Sequence, residues 1–368
     1  MSWAIWITGL PGSGKSLLAR RAADALAARG EPVVLLELDE IRKTLTPAPT
    51  YSDAERDLVY RALVYMAVEL TGAGVPVIVD ATAHRRAWRD LARASVARFA
   101  EVQLECPLDV CRARERRRTG SHAPRGVYAR AGGPGATVPG VDVPYEPALA
   151  PELAIDTAAE EPAAAAARIV TLARQLAGAA GAREAAPAPG WAIWITGLPG
   201  SGKSTIAWSA ADALQARGVP VRVLEPDAVR RVLLAGLSEG DRAREIAHRA
   251  LAYTAKLLTE AGVCVIVDAT APRRAWREMA RGLIARFAEV QLVCRREVCV
   301  ERERAARWQL GGRPPVQQRA AVEAPDLALD YEHALRPELI LHTDVQDLWR
   351  AVEDVLRLAH RLRHREAS

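Results

Sequence analysis

Residues Trp3–Ser16 read WAIWITGLPGSGKS, and residues Trp191–Ser204 repeat these fourteen letters without a change. In each copy an apolar run is followed by G-x-x-x-x-G-K-S and then by an alanine-rich stretch with helical periodicity. The glycines allow successive backbone N–H groups to point at phosphate oxygens, and the helix that follows adds its positive N-terminal end. The pattern therefore predicts two phosphate-binding loops, each between a strand and a helix.

Each predicted loop supplies a lysine for the β- and γ-phosphates of ATP and a serine hydroxyl suited to Mg²⁺. We therefore expect ATP and Mg²⁺ as cofactors, a catalytic role for Lys15 and Lys203, and Mg²⁺ ligation by Ser16 and Ser204. The predicted ATP-binding residues of the two loops are Gly9, Leu10, Pro11, Gly12, Ser13, Gly14, Lys15 and Ser16, and Gly197, Leu198, Pro199, Gly200, Ser201, Gly202, Lys203, Ser204 and Thr205.

The repeat also predicts the domain organisation. Gly9 and Gly197 are 188 positions apart, and the same offset relates Asp39 to Asp227 and Asp80 to Asp268. A chain of 368 residues is long enough for about two domains. We predict a first domain at 1–177, with a Gly/Pro/Arg-rich lid at 118–151, a Gly/Ala/Pro linker at 178–190, and a second domain at 191–368 whose lid has diverged.

Both halves alternate short apolar runs with helical stretches, which predicts an α/β fold with a mainly parallel, doubly wound sheet flanked by helices. In the first half the predicted strands are Ala4–Thr8, Val33–Leu36, Val75–Val79, Val102–Glu105 and Leu153–Ile155. The predicted helices are Ser16–Arg29, Ala54–Thr71, Arg85–Arg98, Pro107–Arg117 and Ala163–Ala177. The second half is expected to repeat this order.

Composition restricts the class of partner and the compartment. The net charge is +5, yet the chain has only four lysines, so a general use of arginine explains the positive balance. No basic stripe interleaved with aromatic residues is visible, which makes a nucleic-acid kinase the weakest interpretation. The five cysteines fit neither a disulfide framework nor a zinc pattern, and no run is long enough to span a membrane. We expect reduced thiols in a cytoplasmic protein.

Carboxylates and arginines follow the predicted second and third strands in both halves. Asp39 and Arg42 match Asp227 and Arg230, and the V-I-V-D-A-T run places Asp80 and Asp268 where a carboxylate would serve Mg²⁺. Asp39 and Asp227 would accept the proton of the acceptor hydroxyl, hold the water shell of the metal, or cap a helix. The sequence leaves open which carboxylate is the base. The arginines that follow would bind an anionic substrate or lie on a solvated face: Arg85, Arg86 and Arg89, matched by Arg273, Arg274 and Arg277.

Over residues 3–157 the chain resembles the adenylylsulfate kinase family. CPLDVCRAR (Cys106–Arg114) is similar to the family's C-P-L-x-V-C-x-x-R, and RGVYARA (Arg125–Ala131) to its K-G-L-Y-x-K-A. PGVDVPYEPALAPEL (Pro139–Leu153) is similar to T-G-I-D-x-P-Y-E-x-P-x-x-P-E-L. The resemblance implies ATP-dependent phosphorylation of the 3′-hydroxyl of adenosine 5′-phosphosulfate.

The resemblance also implies roles for individual residues. Asp39 would serve the acceptor hydroxyl, and the lid residues Arg125 to Arg130 would close over the nucleotides. Family members often work as homodimers, so the tandem is expected to form an intrachain pseudo-dimer or a homodimer. The substrate-binding residues implied, with their matches in the second half, are Arg42, Arg56, Arg86, Arg125, Arg130, Arg230 and Arg274.

Departures from the family pattern leave alternatives for the acceptor. Val138 replaces the aromatic residue that stacks on adenine in the family, Val59 replaces an asparagine, and E-L-D-E-I-R replaces D-G-D-x-x-R. One alternative is a kinase of the same fold that acts on another small-molecule hydroxyl. In another, the second half is a nucleotide-binding or pairing module, since only Tyr331, Glu332 and Pro337–Leu339 of its lid remain recognisable.

Overall fold

The computed structural model describes residues 2–117, 126–133, 135–178, 188–235, 240–309 and 330–364, with the backbone alone at 306–309. The chain divides into two compact units, one made of residues 1–187 and 232–239, the other of residues 188–231 and 240–368. The predicted lid and linker include 118–125, 134 and 179–187, which lie outside the described residues, as does most of the diverged second lid. Among the described residues, no helix combines the length and apolar character needed to cross a bilayer.

The first unit contains a five-stranded parallel sheet. Its strands are β1 (Ala4–Thr8), β2 (Val34–Glu37), β3 (Val77–Asp80), β4 (Phe99–Glu105) and β5 (Leu153–Asp156). Its helices are α1 (Lys15–Ala27), α2 (Leu38–Leu45), α3 (Asp53–Gly72), α4 (Arg86–Ser95), α5 (Leu108–Arg117) and α6 (Pro162–Ala177). The strand order is β2-β3-β1-β4-β5, which confirms the predicted α/β class.

Strand β1 lies at the centre of this sheet, which explains the apolar start of the motif. Ala4, Ile5, Trp6 and Ile7 are fully buried, because helices cover both faces of the sheet. Helices α1 and α6 pack on one face around Ile5 and Ile7, and α3 and α4 pack on the other. Ile7 pairs with Asp80, so the strand register places this carboxylate beside the start of the phosphate loop.

The second unit repeats the arrangement. Its strands are β6 (Ala192–Thr196), β7 (Val221–Leu224), β8 (Cys264–Asp268), β9 (Phe287–Val293) and β10 (Leu339–His342), in the order β10-β9-β6-β8-β7. Its helices are α7 (Lys203–Ala216), α8 (Pro226–Leu233), α9 (Asp241–Glu260), α10 (Arg274–Leu283), α11 (Arg296–Gln309) and α12 (Leu348–His364). Ile195 pairs with Asp268 as Ile7 does with Asp80.

The sequence analysis missed one element in each unit, the short helix after the second strand. It placed Asp39 at a strand end, but β2 ends at Glu37 and Asp39 lies in the first turn of α2. A signal was present, since Leu38, Ile41 and Leu45 have helical spacing and all three are buried. The predicted β4 also began too late and the predicted α4 ended too late, because α4 stops at Ser95 and β4 starts at Phe99.

Candidate active site

The first phosphate loop links β1 to α1, and glycine is required in its turn either by backbone conformation or by lack of space. Gly14 precedes α1 in the left-handed region, with φ 102°. Gly12 has φ 82°, and a Cβ atom there would collide with the carbonyl oxygen of Cys111 on α5. A Cβ atom at Gly200 would likewise collide with the carbonyl oxygen of Cys299. Both loops therefore have the compact shape that brings backbone N–H groups to a phosphate.

The loop lysines fold back over their own loops. Lys15 Nζ donates to the carbonyl oxygens of Gly9 and Leu10 at 3.1 and 3.0 Å, and Lys203 Nζ donates to Leu198 at 3.0 Å. The Oγ atoms of Ser13 and Ser201 are buried without a hydrogen-bond partner in the protein. A cradle with closed backbone geometry, a positioned ammonium group and an unsatisfied hydroxyl fits a phosphate group.

Asp80 lies at the end of β3 beside this loop. Burial raises the pKa of Asp80 to about 6, while Lys15 and a hydrogen bond from Ser16 act in the opposite direction. Burial also raises the pKa of Asp268 above its usual value, against Ser204 and Lys203. Each unit thus places one desolvated carboxylate next to the serine and lysine of its loop, as a Mg²⁺-nucleotide site requires.

A cavity of about 940 Å³ opens from the first loop towards α2, α3 and the described part of the lid. Its lining includes Lys15, Ser16, Asp39 and Asp80. Further cationic and aromatic residues also line it: Arg42, Tyr51, Arg56, Tyr60, Arg114 and Arg130. The predicted loop, both predicted carboxylates and three of the predicted arginines therefore share one cavity. Two reacting groups could be held together here.

Arg42, on α2, is one of the arginines that line this cavity. Its Nη1 atom is buried and has no hydrogen-bond partner in the protein, and its guanidinium lies 5.5 Å from the ring centroid of Tyr51. A buried N–H group that lacks an acceptor is costly unless a ligand supplies one. Arg42 therefore presents an N–H group that a ligand with an acceptor oxygen would satisfy.

Arg56 reaches from α3 to the lid. Its guanidinium donates to the carbonyl oxygen of Thr137 at 3.1 Å and also to the Thr137 hydroxyl. Val138, the next residue, is buried and lines the cavity. Arg56 therefore holds the lid segment with Thr137 and Val138 against the cavity.

Three other predicted substrate-binding residues, Arg86, Arg230 and Arg274, have described contacts within their own units. The side chain of Arg86 is 3.7 Å from Asp90 and is absent from the described cavity lining, while its backbone N–H binds Glu146. Arg274 has the equivalent place in the second unit, with its N–H on Glu332. Arg230 is 3.4 Å from Asp227 on α8. Arg125 lies outside the described residues.

Arg89 and Arg277 belong to the interior of their units and not to a substrate site. Arg89 is completely buried and pairs with Glu101 at 2.7 Å, and Arg277 pairs with Glu289 at the same distance. Each also donates to backbone carbonyls of the turn after the third strand. Neither alternative from the sequence, substrate binding or a solvated face, describes these two arginines, because each is buried beside a glutamate of its own unit.

We expect Arg89→Ala to destabilise the protein by about 3–5 kcal/mol, because it leaves the buried Glu101 with only the more distant Arg93, at 3.7 Å. Arg85→Ala, which removes an exposed pair with Asp53, should cost less than about 1 kcal/mol. Denaturant unfolding of both variants measures this, and KM values measured on folded protein should not change. A raised KM with unchanged stability would restore Arg89 as a substrate contact.

The lid residues that the second unit retains have structural roles. The Tyr331 and Tyr145 hydroxyls lie 3.1 and 3.0 Å from Thr196 Oγ1 and Thr8 Oγ1. Glu338 pairs with Arg281 at 2.5 Å, which anchors β10 to α10. The lid residues that the second half retains are therefore ones that stabilise the fold of the unit, which explains why these pieces of the lid remain recognisable.

Among the residues near the candidate sites that differ between the units are Trp208 and His248. Trp208 stands where the first unit has Arg20, and its indole N–H donates to Glu225 at 3.0 Å. His248 stands where the first unit has Tyr60, and it stacks on Trp276 with ring centroids 4.0 Å apart. Tyr60 stacks on Trp88 at 4.1 Å in the same manner. The stacking is kept while the polar group at the acceptor side changes.

Sequence reasoning missed Tyr51, Tyr60 and Thr137 as cavity residues. Tyr51 is 40 % exposed and has φ 55°, a backbone region that is uncommon for an aromatic residue. Its position in a Pro/Thr-rich stretch before α3 is the only sequence signal. Tyr60 and Thr137 carry no motif, since their approach depends on the packing of α3 and the lid.

Comparison with known proteins identifies the family. The family model described as adenylylsulphate kinase matches residues 1–156 and again residues 189–341. A probable adenylyl-sulfate kinase of Archaeoglobus fulgidus is 37 % identical over 158 residues, which cover 43 % of this chain and 97 % of that protein. The chain belongs to the adenylylsulphate kinase family. It is a kinase that transfers phosphate to a hydroxyl group.

Another curated relative and a solved structure are each similar to about half of this chain. The adenylyl-sulfate kinase of Gloeothece citriformis is 34 % identical over 167 residues, covering 45 % of this chain and 92 % of that protein. A solved structure of the Mycobacterium tuberculosis APS kinase CysC in complex with AMPPNP and APS is 27 % identical, covers 47 % of this chain and 99 % of that chain, and has a TM-score of 0.38. Each of the two curated relatives matches about half of this chain, as expected for a tandem of two family domains.

Proposed function

We propose that the first unit transfers the γ-phosphoryl group of ATP to the 3′-hydroxyl of adenosine 5′-phosphosulfate and releases ADP and 3′-phosphoadenosine 5′-phosphosulfate. The observation that carries the proposal is the single cavity shared by the phosphate loop, Asp39, Asp80 and the Arg42 cation. The acceptor oxygen bonds to the γ-phosphorus as the bond to the β–γ bridging oxygen breaks. The hydroxyl proton passes to Asp39 or Asp80.

Mg²⁺ fits the donors at this loop. Among the described residues, no group of three or more His, Cys, Asp and Glu side chains could hold a metal alone. Mg²⁺ commonly combines one or two protein oxygens with phosphate oxygens and water. Ser16 and Asp80 would hold it in the first unit, and Ser204 and Asp268 in the second. The ion would neutralise charge on the transferred phosphate.

The part of the cavity lining formed by Arg42, Tyr51, Arg56, Thr137 and Val138 is here called the acceptor wall. Its positive charge supports an anionic substrate. Arg42, Arg56 and Arg130 line the cavity, and burial lowers the pKa of Arg56, which marks a desolvated cation. Arginine binds phosphate and sulfate oxygens through paired N–H groups. The half-exposed ring of Tyr51 offers one face to a nucleobase.

The experiment is a coupled assay of purified protein with MgATP and adenosine 5′-phosphosulfate, beside a panel of uncharged sugar alcohols. We expect turnover with the phosphosulfate and formation of the 3′-phosphorylated nucleotide, identified by mass spectrometry. Turnover with an uncharged alcohol alone would contradict the proposal. It would favour the second candidate, a kinase for another small-molecule hydroxyl, for which the aliphatic wall at Val138 is the supporting observation.

We expect Val138→Phe to lower the KM for adenosine 5′-phosphosulfate about fivefold or more, because a second aromatic surface would be available to the adenine. Val141→Phe is the matched control, since Val141 is exposed in the same lid segment and absent from the described cavity lining. Steady-state kinetics with fixed MgATP measures both variants. An unchanged KM for Val138→Phe would show that the base binds away from this wall.

For the second unit we propose MgATP binding without an equal role in catalysis. Support comes from the matching contacts of Lys203 and Asp268 with their loop. The changes at Trp208 and His248 indicate a different acceptor side.

The five free thiols support a reducing, cytoplasmic compartment as part of the same proposal.

A further inference from the structure

The outer face of the first phosphate loop is held by a side chain of the lid. The hydroxyl of Tyr128 donates a hydrogen bond to the carbonyl oxygen of Pro11 at 2.7 Å. Tyr128 begins a short 3-10 helix, Tyr128–Arg130, in the described part of the lid. Pro11 is a residue of the loop itself and lines the cavity. A movement of this lid segment therefore acts directly on the loop.

Tyr128 is held in place by α5, the helix behind the loop. The backbone N–H of Val127 donates to Glu115 at 3.2 Å, and Glu115 is buried although it is acidic. The guanidinium of Arg112 lies 5.8 Å from the centroid of the Tyr128 ring. Burial raises the pKa of Tyr128, so its hydroxyl keeps the proton that it donates. These contacts define the position of the phenol.

The same segment of the lid continues to the acceptor wall. The backbone N–H groups of Gly132 and Val138 both donate to the carboxylate of Asp142, each at 2.8 Å. Thr137, one residue earlier, is bound by Arg56. One internally bonded segment thus contacts the phosphate loop at one end and the acceptor wall at the other.

The second unit ties its loop in a different way. There the hydroxyl of Thr343, just after β10, donates to the carbonyl oxygen of Ser201 at 2.8 Å. The matching hydroxyl of the first unit, on Thr157, donates to Glu105 at 3.3 Å instead. Among the residues that the structure describes, the second loop is therefore fastened to the body of its unit, whereas the first is fastened to its lid.

We infer that Tyr128 is a positioning residue that shapes the phosphate loop of the first unit and couples ATP affinity to the acceptor site. The coupling arises because an acceptor that contacts Thr137 and Val138 stabilises the segment that holds Pro11. Linkage requires that each ligand then raises the affinity for the other by the same factor. In the described part of the second unit, Thr343 ties the loop to the body of the unit. The acceptor half of this inference rests on the proposed function.

The test is Tyr128→Phe in a Lys203→Ala background, so that binding is measured at the first loop. A non-hydrolysable ATP analogue with Mg²⁺ is titrated by calorimetry, with and without adenosine 5′-phosphosulfate. Loss of one hydrogen bond should weaken binding of the analogue about fivefold, and the coupling between the two ligands should fall towards one. Tyr145→Phe is the matched control, because its hydroxyl contacts Thr8 and not the loop.

A reciprocal test uses the second loop, in a Lys15→Ala background. There Thr343→Ala should weaken analogue binding, and Tyr128→Phe should have no effect. Equal analogue affinity of Tyr128→Phe and its parent would overturn the inference, as would an equal loss in Tyr145→Phe. If the phosphosulfate does not bind the parent, the proposed acceptor fails, while the titration with the analogue alone still decides the role of Tyr128. Thermal unfolding of each variant shows whether a loss of binding follows a loss of fold.

Discussion

Lys15→Ala is expected to lower kcat/KM for the kinase reaction by about 100- to 1,000-fold or more, since it removes the ammonium group that meets the transferred phosphate. Lys15 is the cation whose Nζ atom lies over the first loop, 3.0 Å from the carbonyl oxygen of Leu10. No arginine can replace it there, because a planar guanidinium does not fit the compact site. Steady-state kinetics with adenosine 5′-phosphosulfate gives the measurement.

The chain supplies matched controls for this experiment. Its two remaining lysines, Lys43 and Lys256, pair with Glu40 and Glu260 on helix surfaces at 2.6 and 2.9 Å. Lys43→Ala and Lys256→Ala should keep wild-type activity. Lys203→Ala should lower activity far less than Lys15→Ala if the first unit is the catalyst. The reverse order, with Lys15→Ala tolerated, would move catalysis to the second unit.

Asp80→Asn is expected to abolish most activity and yet stabilise the protein without ligands at neutral pH. Burial raises the pKa of Asp80 to about 6, so the folded state favours the protonated acid, which asparagine resembles. The stabilising contribution of the protonated form is complete below the unfolded pKa and is lost as the pH rises through about 6. A shift of this size corresponds to roughly 2–3 kcal/mol at pH 7.

The pH dependence separates this explanation from a simple packing effect. Denaturant unfolding at pH 7.5 should show a clear gain for Asp80→Asn over wild type, and the gain should shrink towards pH 4. The kcat/KM of the wild type, which reports the enzyme without ligands, should fall as the pH drops below about 6, because protonated Asp80 can neither accept a proton nor serve Mg²⁺. A gain that does not vary with pH would refute the proposed cause. Asp268→Asn provides the corresponding control in the second unit.

Local sequence patterns predicted much of the fold and the phosphate loop of the candidate site. The repeated motif determined β1, the loop and the start of α1, because the conformation of a phosphate loop depends on residues adjacent in the chain. Helix α2 was missed because eight residues give a weak periodic signal. The arginines after β3 were ambiguous, because burial by a distant strand decides whether Arg89 meets Glu101 or a ligand.

The sequence by itself determined two phosphate loops, the α/β class and the resemblance to one family of kinases. Only the tertiary structure decided which arginines line the acceptor cavity, which lie in the core, and that Tyr128 reaches the loop. The reason is one of range. The cradle around a phosphate is built by consecutive backbone groups, whereas Tyr128 and Pro11 are 117 residues apart in the chain and meet only when the sheet, α5 and the lid have packed.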